Sequence, residues 1–87
     1  MQLKDDDQLR PLIDFIQKNK SKHIGIMLAA AKKIGIHQNH ATKVGKGNAP
    51  YTSKNIRSLR SIANIIYQAE KKNEALVSQT VESLPAA

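Results

Sequence analysis

The sequence predicts a small all-α domain of helix-turn-helix or winged-helix-like type: three helices around one long, basic, glycine-containing loop. Three apolar stripes at helical spacing carry this reading. They are Leu9, Leu12, Ile13 and Ile16; then Ile24, Met27, Leu28, Ala31 and Ile34; then Ile56, Leu59, Ile62, Ala63 and Ile66.

The first helix is expected over about residues 7–18, with Asp5 to Asp7 placing negative charge at its N-terminus and Pro11 tolerated in its first turn. Asn19, Lys20 and Ser21 form a break in which Ser21 can cap a second helix. Ala29, Ala30 and Ala31 favour that helix, Lys32 and Lys33 suit its C-terminal dipole, and Gly35 sits where a left-handed cap belongs. Residues 35–51 read as a loop, or as a small turn or hairpin around Gly45, Gly47, Asn48 and Pro50. Thr52 can cap a third helix running from Ser53 to about Lys72. Residues 1–72 form the expected domain, and 73–87 a tail whose Ala75, Leu76, Val77, Val81 and Leu84 either fray or pair with a second copy in a homodimer.

Eighty-seven residues support one small core, with about 60–65% of the unfolded surface buried. There is no cysteine, hence no disulfide and no thiolate metal site. No run of 18 apolar residues occurs, and the N-terminus lacks the apolar core of a signal peptide, so a soluble, cytoplasmic protein is expected. Phe15, Tyr51 and Tyr67 are the only aromatics. Folds that stack bases on several aromatic rings are therefore disfavoured.

Charge carries the functional reading. Between Asp14 and Glu70 the chain has no acidic side chain but ten cations: Lys18, Lys20, Lys22, Lys32, Lys33, Lys43, Lys46, Lys54, Arg57 and Arg60. All seven carboxylates lie outside that window, and the net charge is +7. A segregated cationic field favours a polyanion, and nucleic acid supplies the densest one. The bland alternative is a solvated basic surface that aids solubility, which does not require carboxylates to be absent.

On a helical wheel the third helix places Lys54, Arg57, Ser61, Asn64 and Gln68 opposite its apolar stripe. Arg and Lys pair with guanine and Asn and Gln with adenine, so Lys54, Arg57, Ser61 and Asn64 are the expected base readers in a major groove. Lys18, Lys20, Lys22, Lys43, Lys46, Thr52 and Arg60 are the expected phosphate contacts. His37 and His40, with His23 the only other imidazole, are too few to hold a structural metal and read as loop histidines beside phosphates. No nucleophile, base and acid are spaced as a triad, and Gly45 and Gly47 lack the rest of a nucleotide loop. No enzyme activity, metal or cofactor is expected.

The stretch Ala31-Lys32-Lys33-Ile34-Gly35-Ile36, then Gly45-Lys46, then Pro50-Tyr51-Thr52-Ser53-Lys54-Asn55-Ile56-Arg57-Ser58-Leu59, resembles the helix-turn-helix segment of large serine recombinases over about residues 28–62. The loop is several residues longer than in that family, and 87 residues leave no room for a catalytic serine domain. The resemblance implies the DNA-reading part without recombinase chemistry, with Lys46, Gly47, Thr52, Lys54 and Arg57 in the glycine loop and recognition helix. Gly45 to Pro50 is also similar to the glycine-basic loops that bacterial nucleoid silencers place in the minor groove, with lysine where those carry arginine.

The expected partner is double-stranded DNA, for a small transcriptional regulator or a mobile-element accessory factor. An RNA- or ribosome-associated protein, or an adaptor whose basic face meets an acidic protein, is the alternative. A membrane surface is disfavoured, because the basic helix lacks bulky aromatics beside its apolar face.

Overall fold

The computed structural model describes the backbone of residues 1–83 and the side chains of residues 1–72. Within them the all-α expectation holds. The helices are α1 (Arg10–Asn19), α2 (Ile26–Ile34), α3 (Gln38–Gly45) and α4 (Ser53–Ser83), with single 3-10 turns at Leu3–Asp5 and Lys20–Lys22. The only β pairing among the described residues is an isolated bridge between Gln2 and Pro50.

α4 is the common partner: α1, α2 and α3 all pack against it. Leu59, Ile62 and Ile66 of α4 are fully buried, together with Leu3, Ile16 and Val44. A core isoleucine of this kind is worth about 2–5 kcal/mol against alanine.

α1 starts three residues later than its acidic lead-in suggests. Asp6 caps the approach, accepting the Gln8 N–H on its side chain at 2.8 Å and the Leu9 N–H on its carbonyl at 3.0 Å. Pro11 sits in the first turn, where a missing N–H costs no helical bond. Asn19 closes the helix, donating from Nδ2 to the Phe15 carbonyl at 2.9 Å.

The second expected stripe needs correction. Ser21 lies in a 3-10 turn and caps nothing; α2 begins after Gly25, whose φ of 76° is left-handed. Ile24 precedes that break and is fully exposed, and Leu28 is also exposed. The buried side chains are Ile26, Ala30 and Ala31, flanked by Met27 and Ile34. The small alanines bring α2 close to its neighbours.

The segment expected as loop contains α3. Gly35, with φ 77°, ends α2 as anticipated, and the Ile36 N–H donates to the Ala31 carbonyl at 2.9 Å, the wider of the two bonds that close a Schellman cap. Only Gly35, Ile36 and His37 separate α2 from α3. His37 caps α3, its Nδ1 accepting the Asn39 N–H at 3.1 Å. α3 buries just Ala41 and Val44 beside Gly45. Two small apolar residues and an unusual cap leave almost no periodic signal, which is why the helix is hidden in the sequence.

Gly45 and Gly47 do not form a free loop. Both are buried, and the N-terminal segment clasps the turn that follows α3. Leu3 N–H donates to the Ala49 carbonyl and Lys4 N–H to the Gly47 carbonyl, each at 3.0 Å, and Tyr51 N–H donates to the Met1 carbonyl at 2.9 Å. Both glycines serve close packing, while Lys46 and Pro50 are exposed. The Tyr51 hydroxyl closes the clasp by donating to Asp6 Oδ2 at 2.7 Å.

Thr52 caps α4 as expected, its Oγ1 accepting the Asn55 N–H at 3.1 Å. α4 runs past Lys72 to Ser83. The pairing expected of the tail concerns side chains outside the described residues, and residues 84–87 lie outside them altogether.

Two glycine substitutions separate strain from crowding. A β-carbon at Gly35 meets nothing within 4 Å, so Gly35→Ala is expected to cost only the left-handed penalty, about 1–2 kcal/mol. At Gly47 the φ is 79°, and a β-carbon would lie 2.6 Å from Ile13 Cδ1 and 3.2 Å from the Lys4 backbone. Gly47→Ala should therefore cost about 2–5 kcal/mol in urea denaturation, clearly more than Gly35→Ala.

The Tyr51–Asp6 bond has a signed pH dependence. The Tyr51 hydroxyl and the Gln8 N–H hold the Asp6 carboxyl below its ordinary 3.8, and Asp6 raises the Tyr51 hydroxyl above its ordinary 10.0. The Asp6 contribution is present above 3.8 and lost as pH falls through its folded value. The Tyr51 contribution is present below 10.0 and lost as pH rises through its folded value. Tyr51→Phe should therefore be least stable relative to the parent between about pH 5 and 9, with the gap closing at both extremes in pH-resolved denaturation.

Candidate nucleic-acid interface

Two outward faces carry most of the cations, with Lys32 and Lys33 exposed apart from them on the last turn of α2. The first is on α4, where Lys54, Arg57, Arg60 and Asn64 are exposed and Ser61 is half-exposed, as the wheel requires. The fold brings other groups to that face. Asp6 lies close enough for the Arg60 charge to help lower its carboxyl pKa. Arg60 and Asn64 also border an apolar groove formed with Pro11, Leu12, Phe15, Ala63 and Tyr67.

Lys18 and Lys22 stand at the far end of the same groove, beside Lys71 and Glu70. Glu70 is a carboxylate inside the supposedly acid-free field. Its Oε1 lies 3.1 Å from His23 Nε2 and 3.9 Å from Lys22 Nζ. Lys22, exposed over half its side chain, therefore shares its surroundings with a carboxylate. Thr52 is exposed, but its oxygen is engaged as the α4 cap.

The second face is on α3. Gln38, Asn39, Lys43 and Lys46 are exposed, and Thr42 is half-exposed with its hydroxyl donating to the Gln38 carbonyl at 3.1 Å. Lys20, Gln38 and Thr42 line a cleft with the first turn of α2. Among the described residues, no carboxylate pairs with Lys20, Lys43 or Lys46; the ion pairs are Arg10–Asp7 and Lys22–Glu70, and His23 shares a hydrogen bond with Glu70.

A polar node fixes α3 to α4. Asn55, which sequence reasoning passed over, is buried. Its Nδ2 donates to the Pro50 carbonyl at 2.9 Å, so its Oδ1 is free to accept from His40 Nε2 at 3.0 Å. That arrangement puts the proton of the neutral His40 ring on Nε2. The histidines expected beside phosphates are thus structural, with His37 capping α3 and His40 tying it to α4. No buried side-chain polar atom among the described residues lacks a partner.

Gln38 and Asn39 were also missed. Ala41 and Val44, three apart and following the Gly35 stop, were the available signal. No three potential metal ligands converge among the described residues, and none of their helices is long and apolar enough to cross a membrane. No family model, curated protein or solved structure matches the chain.

Proposed function

We propose that the protein binds duplex DNA, as a small regulator, and that α2, its three-residue turn and α3 form a helix-turn-helix unit with α3 in the major groove. One observation carries this reading. A left-handed Gly35 joins α2 to a short second helix whose outward side chains are Gln38, Asn39 and Lys43, with no carboxylate paired to them. Two helices joined by a three- or four-residue glycine turn are the usual scaffold for presenting the N-terminal residues of the second helix to base edges.

Asn39 and Gln38 suit the N6 and N7 edge of adenine, and Lys43 suits guanine or a phosphate. Lys20, across the α2–α3 cleft, and Lys46, just past α3, are placed for phosphates. This moves the reading helix from α4 to α3. The outward face of α4 borders Asp6 and an apolar groove, and both suit a phosphate-lined groove poorly. Lys54, in the first turn of α4, remains a flanking phosphate contact. RNA is the weaker reading, because only Tyr51 and Tyr67 expose aromatic surface for stacking.

Fluorescence anisotropy against random duplex DNA and a hairpin RNA, across a salt series, tests the class. A slope of about −4 to −6 in log K against log salt for DNA corresponds to about four to seven phosphate contacts. Absence of DNA binding near about 100 mM salt would end the proposal, and tighter RNA binding would favour the RNA reading.

Selected binding sites test the residues. Asn39→Ala is expected to relax preference at one base by about 1–3 kcal/mol, while Lys46→Ala weakens all sequences alike and reduces the salt slope by about 1. Arg57→Ala and Asn64→Ala should leave preference intact. The reverse pattern would return the reading role to α4.

A further inference from the structure

The groove between α1 and α4 is a second surface that the DNA reading does not use. It shares no lining residue with the α2–α3 cleft. Its middle is apolar, made by Pro11, Leu12, Phe15, Ala63 and Tyr67. Tyr67 is 46% exposed, one of the largest apolar groups facing solvent. The Phe15 and Tyr67 rings, 6.4 Å apart and tilted by 54°, pair across the two helices and give the groove an aromatic floor.

Both ends are cationic. Arg60 lines one end, with Arg57 beside it in the adjoining depression on α4, and Lys18, Lys22 and Lys71 stand at the other, with Lys71 Nζ 5.3 Å from the Tyr67 ring centre. Glu70 offsets one charge at the second end, and Asp6 lies within electrostatic reach of Arg60 at the first. A net positive charge remains at each end. From Arg57 to Lys71 is 14 helical steps, or about 21 Å, close to four turns of helix.

The chemistry of the groove selects its occupant. Duplex DNA presents charge along its whole length and would gain nothing from the apolar middle. A second copy laid face to face would set cationic ends against cationic ends, which opposes association. An apolar stripe with negative charge at either end meets every feature.

We propose that this groove docks an acidic amphipathic helix from another protein. Apolar side chains at i, i+3 or i+4 and i+7 would enter between Leu12, Phe15 and Tyr67, and carboxylates near the helix ends would meet the two cationic groups. The proposal is independent of the DNA reading and survives its failure.

The test uses the full chain, ¹⁵N-labelled, titrated with a designed helical peptide of about 18 residues built from leucine and glutamate at amphipathic spacing. A matched peptide with lysine replacing glutamate serves as control. The acidic peptide is expected to shift the amides of Leu12, Phe15, Asn64 and Tyr67, and the lysine peptide to shift none of them. Arg60→Glu, Lys71→Glu and Tyr67→Ser, all at exposed positions, should each weaken binding at least tenfold with the helical circular dichroism unchanged. Asn39→Ala should bind the peptide as the parent does.

The proposal is overturned by no shift at millimolar peptide, by equal binding of the two peptides, or by shifts confined to α3. A parent dimer in sedimentation that Tyr67→Ser converts to monomer would also overturn it, by showing that a second copy covers the groove.

Discussion

Three short helices share one apolar stripe. α1 has ten residues, α2 nine and α3 eight, and helices of that length are not stable alone in water. Each forms because it covers part of the same seam on α4, where Leu59, Ile62, Ala63 and Ile66 are buried. The seam faces three neighbours, so the opposite face of α4 is the only one left for charge. The clasp from Met1 to Lys4 over Gly47 and Ala49 follows from the same economy, sealing the end of the core with backbone hydrogen bonds around the buried Leu3 side chain.

Charge segregation along the chain is not charge segregation in space. The window between Asp14 and Glu70 holds no acid, yet folding returns Glu70 to His23 and Lys22, and Asp6 to Tyr51 and the neighbourhood of Arg60. The ten cations thereby divide into those that share a surface with a carboxylate and those that do not. That division distinguishes α3 from the α1–α4 groove more sharply than composition could.

The parts of the fold legible in the sequence were those with periodicity or a strong cap. α4 from Thr52 onward, the Gly35 stop and the body of α1 were readable on those grounds. α3 was not, because Ala41 and Val44 are too small and too few to mark a stripe and His37 is an unusual cap. Ile24 was misplaced because Ile24 and Met27 to Ile34 fit one helical stripe straight through Gly25, whose left-handed φ of 76° in fact sets Ile24 outside the helix. In the site, the outward face of α4 was readable from the wheel. The groove beside it, and the Asn55–His40 node, needed contacts between residues far apart in sequence. Glu70 beside His23 is the plainest case, 47 positions away.

The Asn55 node has a kinetic meaning. With Asn55 bonded to His40 on one side and to Pro50 on the other, α3 is held to α4 before any ligand arrives. A surface helix that is already ordered loses little conformational entropy on binding. Under the proposed DNA-binding role, its advantage over a flexible basic loop of the same charge lies in residence time, since encounter is set by the long-range field and departure by how well the ordered side chains stay engaged.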